Sequence, residues 1–280
     1  MRIPLPKQYY QIVDFKYKGY KIRTYRFGTG KKKIFSLPGF PHSGLIYLYF
    51  LLNYDLNKVT FITFDLPGWI GCSDNLFKDS RYDEEVIVDI AQHVIAKYNL
   101  VDFNVIGYSF GSSIAARIIG LKKYNIEKLV LVSPVLNGIK IKKSRWLLNF
   151  LRVLKLNSYF KVRMKTAFRW YKARLKAVGV DKNSLNEYYK LLDRADPRIL
   201  LESINTLFTR EYTEYLKDFP KGKIMIATSK DETPFIQDQA QFLMDTLEGE
   251  KVLYLRGDHT EFFIDPNKEK VRRVMEFLTE

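Results

Sequence analysis

The chain has 280 residues, 46% of them hydrophobic, 15% aromatic and 28% charged, the composition of a folded protein rather than a disordered one. Its 20 Phe and 19 Tyr can fill a sizeable core, and a single cysteine, Cys72, excludes an internal disulfide and fits a reducing compartment. The net charge is +15, but residues 139–180 hold thirteen Lys or Arg and no Asp or Glu, leaving 33 basic against 31 acidic residues elsewhere, so the basicity belongs to one segment.

The N-terminal MRIPLPKQYYQIVDF has no apolar run of signal-peptide length. The apolar stretch Leu45 to Leu52 is far too short to span a bilayer, so a cytoplasmic protein is expected. Gln11 to Lys18 and Tyr20 to Phe27 read as strands of a hairpin turning at Lys18-Gly19. Lys32 to Leu37 and Lys58 to Phe64 are short apolar runs that end in Pro-Gly turns. A helix is predicted over Tyr82 to Tyr98, with Val86, Ile90, Val94 and Ile95 on one face. Strand Phe103 to Ile106, a helix from Phe110 and strand Lys128 to Val132 follow. Strand Ile224 to Ala227, helix Pro234 to Thr246, strand Val252 to Leu255 and a helix from Asn267 complete the chain.

About eight strands alternating with helices after an opening hairpin predict a mostly parallel sheet covered on both faces. Between Gly138 and Lys217 the strand signal stops and the chain becomes helical and basic. This predicts a core of residues 1–138 and 218–280, with a helical cap, 139–217, inserted between strands 6 and 7. Such an insert lies over the carboxyl ends of the strands, where open α/β sheets bind ligands.

Gly107-Tyr108-Ser109-Phe110-Gly111 stands between a predicted strand and a predicted helix. A serine on that turn is held in a strained conformation above the sheet, and a Cβ at either glycine would strike the adjoining strand or helix. The helix N-terminus beneath it favours developing negative charge. A serine hydroxyl needs a base, and there are three histidines. His93 sits at the boundary between the faces of its helix, and His42 lies in a loop. His259 follows the last strand in Gly257-Asp258-His259, on the same sheet edge as Ser109, and is the expected base. Asp231, after strand Ile224 to Ala227, is the expected carboxylate; it could instead cap the helix near Pro234. Glu232 and Asp258 are its weaker competitors. The loop after strand Lys128 to Val132, Ser-Pro-Val-Leu-Asn-Gly, offers no carboxylate.

With these residues in the order Ser, Asp, His, the chain resembles the α/β-hydrolase superfamily, particularly serine esterase- and lipase-like members with an inserted helical lid, over roughly residues 10 to 280. Leu37-Pro38-Gly39-Phe40-Pro41 resembles the oxyanion loop, Phe64 to Ser73 the Asp-x-x-Gly-x-Gly-x-Ser turn, and Gly257 to Pro266 the histidine loop. Two departures stand out: Pro38 replaces the histidine before the oxyanion glycine, and Ile70 adds a residue to the second turn. The resemblance implies that the N–H groups of Phe40 and Phe110 form the oxyanion hole, and that Asp65 anchors a turn. The Phe40-Pro41 bond is often cis in such proteins. Relatives that open epoxides or displace halide carry Asp at the nucleophile position, so serine at 109 argues against both.

The expected activity is hydrolysis of a small-molecule carboxylic ester with an apolar acyl or alcohol group, through an acyl-enzyme, with Ser109, Asp231 and His259 as the triad. Amidase, aminopeptidase or carbon–carbon hydrolase chemistry uses the same residues, and a non-catalytic receptor on this fold remains a distinct alternative. Tyr108, His42 and Trp69 are candidate substrate contacts, while Cys72 reads as a small filler. No cofactor or metal is expected, because the His and acidic residues lack ligand spacing. In the basic insert, Met164, Phe168, Tyr171, Leu175 and Val178 recur at helical spacing beside a stripe of Lys165, Arg169, Lys172 and Lys176. The simplest reading is a solvated lid. The segment also suits an anionic membrane surface or lipid headgroup, and nothing in it suggests nucleic acid.

Overall fold

The computed structural model describes residues 7–52, 54–137, 166, 190, 194–247, 250–255 and 268–280. His259, Asp258 and the rest of the histidine loop lie outside the described residues, as do the lid helix and nearly all of the basic stretch.

Eight strands form one sheet in the order β1-β2-β4-β3-β5-β6-β7-β8. They are β1 (Tyr10–Tyr17), β2 (Tyr20–Phe27), β3 (Lys32–Leu37), β4 (Val59–Phe64), β5 (Asp102–Tyr108), β6 (Asn125–Val132), β7 (Ile224–Ser229) and β8 (Lys251–Leu255). The β1–β2 and β2–β4 pairs are antiparallel and all others parallel. The first strand is exposed or half-buried at every position but its last, Tyr17, as befits an edge. By contrast, β7 is buried at every position and β5 at every position but its first, which is why they read as continuous apolar runs.

The chain runs from β3 outward to β4, then crosses back to lay β5 on the other side of β3. That reversal opens a crevice at the carboxyl ends of β3 and β5, the usual ligand position in such sheets.

Six described helices flank the sheet: α1 (Ile46–Leu51), α2 (Glu84–Lys97), α3 (Phe110–Gly120), α4 (Pro197–Leu207), α5 (Pro234–Thr246) and α6 (Lys268–Thr279). One core cluster joins a sheet face to Ile87, Ile90 and Val94 of α2, Ile114 and Ile118 of α3, and Leu243 of α5. The opposite face packs on Ile46 and Phe50 of α1 and on Val271, Val274 and Met275 of α6. Each such apolar side chain contributes about 1.5–3 kcal/mol of burial. Helix α2 begins two residues later than its periodicity suggested, because Asp83 caps it by accepting the Glu85 N–H at 3.0 Å. No helix among the described residues is long and apolar enough to cross a membrane.

The insertion separates β6 from β7, as expected. Its last part is tied to the core. Leu136 accepts the Tyr212 N–H at 2.8 Å, and Asn137 pairs with Glu211 in an antiparallel bridge. Asp196 caps α4 and receives Asn75 Nδ2 at 2.8 Å, while its own N–H reaches the Gly68 carbonyl at 2.9 Å. Arg198 donates to the carbonyls of Phe77, Lys78 and Ser80, and Glu202 accepts the Tyr82 N–H at 2.7 Å. Helix α4 is thereby fastened to the loop that follows β4.

Candidate active site

Ser109 occupies the turn between β5 and α3 with φ 50° and ψ −113°, a conformation that L residues rarely adopt. Its N–H donates to the Val132 carbonyl at 2.8 Å, which ties the turn to the end of the neighbouring strand. The two glycines are required as predicted. A Cβ on Gly111 would come within 2.2 Å of the Leu37 carbonyl oxygen, and one on Gly107 within 2.8 Å of Ser112 Cα. Ser109 is 7% exposed, buried but at the sheet edge where the crevice opens.

The loop after β3 runs alongside. Its Phe40–Pro41 peptide is cis, and the His42 N–H donates to the Gly39 carbonyl at 2.7 Å. Gly39 lies against the Tyr108 ring, so closely that a Cβ there would sit 2.5 Å from a ring carbon. Phe110 is the first residue of α3, so its N–H has no acceptor within the helix. The Trp69 indole meets the Phe40 ring edge-on at 5.2 Å and the Phe110 ring at 4.7 Å, joining the oxyanion-loop candidate to the start of α3. Buried Trp69 has no hydrogen-bond partner for its Nε1–H among the described residues.

The three candidate substrate contacts divide between the two faces of the sheet. Tyr108 packs in the cluster beneath α1 and α6, and His42 stacks on its ring at 6.2 Å. Trp69 belongs to the cluster of α2 and α3. All three are buried.

Asp65 is fully buried and accepts four hydrogen bonds. Ser43 Oγ and the Gly44 N–H reach one oxygen at 2.5 and 3.0 Å; Tyr25 OH and the Cys72 N–H reach the other at 2.7 and 2.6 Å. Burial pushes its pKa above the ordinary value of 3.8 in spite of those donors. With its acceptor capacity turned inward, it ties the β4 turn to the loop before α1. The extra residue of that turn, Ile70, is accommodated by complete burial, its N–H on the Pro41 carbonyl at 3.3 Å. His93 is exposed, its Nδ1 2.8 Å from the Asp89 carbonyl oxygen within α2.

Asp231 follows β7 with its N–H on Ser229 Oγ at 3.1 Å, and the residue is exposed. It does not cap α5; Thr233 holds that position. The adjacent Glu232 is only 4% exposed, and its Oε1 accepts Ser133 Oγ–H at 2.5 Å. Sequence reasoning placed both carboxylates on this turn but carried no signal for which one turns inward. Among the described residues no cluster of three or more His, Cys, Asp or Glu could hold a metal ion.

No curated protein matches the chain. The structure is similar to an esterase from Exiguobacterium antarcticum, with TM-score 0.75 and 16% identity over 94% of this chain and 97% of that one. It is similar to a bromoperoxidase from Bacillus anthracis, with TM-score 0.74 and 16% identity over 97% and 100%. A haloalkane dehalogenase from Agrobacterium tumefaciens matches with TM-score 0.68 and 14% identity over 97% of each chain. At such identities these likenesses show a shared fold and do not choose among their reactions. A family model described as the alpha/beta hydrolase family matches residues 34–273. With that match, the strand order and the strained serine turn, the chain belongs to the alpha/beta hydrolase family.

Proposed function

We propose that the protein is a serine hydrolase that cleaves a carboxylic ester with an apolar acyl or alcohol group. The observation that carries this reading is the strained turn at Ser109, a non-glycine residue held at positive φ between β5 and α3. A backbone of that kind is retained where surrounding contacts impose it, most often at functional sites. In this reading Ser109 Oγ attacks the ester carbonyl while His259 takes its proton and Asp231 orients His259. The N–H groups of Phe40 and Phe110 receive the oxyanion, and the N-terminus of α3 adds its positive end. His259 then returns the proton to the leaving alcohol, and water resolves the acyl-enzyme by the same steps in reverse. Apolar neighbours support the substrate class: the Trp69 ring packs against Phe40 and Phe110 beside the Ser109 turn.

Labelling with a fluorophosphonate probe tests the nucleophile, comparing the wild type with Ser109→Ala. Labelling that disappears in the variant supports the reading. p-Nitrophenyl esters of increasing acyl length then measure the pocket, and matched anilides separate ester from amide cleavage. A folded wild type that is neither labelled nor turns over any ester contradicts a hydrolase and favours a receptor.

A further inference from the structure

We propose that Glu232 is a positioning residue of the catalytic centre, fixing the turn after β7 against the turn that carries Ser109. The proposal rests on the reading of Ser109 as the nucleophile.

Of the two adjacent carboxylates after β7, Asp231 is exposed and Glu232 is buried. Burying a carboxylate costs free energy unless a specific partner holds it, so its inward turn needs a cause. Among the described residues a partner is Ser133, whose Oγ–H donates to Glu232 Oε1 at 2.5 Å. Ser133 directly follows β6 and is itself held in the left-handed region, at φ 42°, as Ser109 is after β5 at φ 50°. Two non-glycine residues thus stand in strained conformations at the carboxyl ends of neighbouring strands, and hydrogen bonds join them in sequence. The Ser109 N–H donates to the Val132 carbonyl at 2.8 Å, and the next residue, Ser133, donates its N–H to the Ala227 carbonyl of β7 at 2.7 Å. Ser133 Oγ–H then closes the chain onto Glu232. From the other side, Gln237 of α5 donates to the carbonyls of Lys230 and Glu232 at 2.8 and 2.9 Å, holding the backbone of the same turn.

The β6 loop has no carboxylate of its own, and Glu232 supplies one from the next strand. The nucleophile turn, the β6 turn and the β7 turn therefore form one hydrogen-bonded unit. Loosening it lets the turn that carries Asp231 drift relative to Ser109, and a misplacement of about 1 Å lowers a reaction rate by about 10²-fold.

The experiment measures kcat and KM on a p-nitrophenyl ester, per fluorophosphonate-titrated site, for Glu232→Ala, Ser133→Ala, the double variant and Glu232→Gln. Each alanine variant is expected to lower kcat by roughly 10- to 100-fold with KM little changed, and the double variant to lose no more than either single one. Glu232→Gln should recover most of the rate, because its amide oxygen can accept the same Ser133 hydrogen bond. Unchanged kcat per titrated site in Glu232→Ala and Ser133→Ala, with only the melting temperature lowered, overturns the proposal and leaves a structural role. So do fully additive losses. Should Glu232→Ala not fold, Ser133→Ala and Glu232→Gln carry the same comparison. A wild type with neither labelling nor turnover instead overturns the hydrolase reading, and the proposal with it.

Discussion

The carboxylate of Glu84, fully buried at the first turn of α2, accepts a hydrogen bond from the Arg210 guanidinium at 2.7 Å. The same group accepts Tyr212 OH at 2.8 Å and lies 3.3 Å from Arg117 of α3. Burial raises the Glu84 pKa above its ordinary value, while Tyr212 and the two arginines pull it back. One side chain therefore joins α2 and α3 to the segment through which the insertion returns to the sheet.

Replacing Glu84 by Leu removes the buried acceptor shared by Arg210, Tyr212 and Arg117, leaving Arg117 its bridge to Glu85 at 2.5 Å, and should destabilise the fold by about 2 kcal/mol. Arg210→Met leaves Arg117 and Tyr212 in place on the carboxylate and should cost about 1 kcal/mol. Urea unfolding midpoints measure both. Equal, small effects would show that the cluster contributes little to holding the returning segment.

Ser109 carries a conformational cost. A non-glycine residue in its region of φ and ψ is disfavoured by about 1–3 kcal/mol, and glycine removes most of that penalty. Ser109→Gly should raise thermal stability by about 1 kcal/mol while abolishing fluorophosphonate labelling. A variant that melts below the wild type would mean that the serine side chain stabilises the turn more than its backbone strains it.

The β1–β2 hairpin should lose stability in acid through Asp14. Arg23 donates two hydrogen bonds to it, at 2.7 and 2.6 Å, and with the added attraction of its charge holds the Asp14 carboxyl below its ordinary value of 3.8. A carboxyl with a lower pKa folded than unfolded binds fewer protons in the native state. Its contribution is therefore complete above about pH 4 and declines as the pH falls through the folded-state pKa. Asp14→Asn should match the wild type's stability more closely at pH 2 than at pH 6, as read by denaturant titration at each pH. A constant gap between the two proteins would rule out this linkage.

The sequence by itself determined the eight strands and the serine turn. Strands buried on both faces must be apolar throughout and must end where the chain turns, so β3 to β7 are visible as short runs bounded by Gly, Pro and polar residues. The glycines at 107 and 111 are dictated by contacts within one strand–turn–helix unit and its nearest neighbour, and local sterics of that kind are written in local sequence. The separation of β6 from β7 by a long insertion was equally legible, because a break in strand periodicity needs no knowledge of packing.

What only the tertiary structure decided is how distant segments face one another. The sequence marks the insertion as helical, but not that Ile199 and Leu200 of α4 join the core of the sheet, or that Asn75, Phe77 and Ser80 bind that helix from the loop after β4. In the β7 turn, Asp231 and Glu232 are adjacent, chemically alike and free of any period that would sort inside from outside. Among the described residues, Ser133, 99 positions away from Glu232 in sequence, offers its hydroxyl to Glu232 across the ends of two strands. Hydrogen bonds of that reach depend on strand order and register, which a single sequence does not encode position by position.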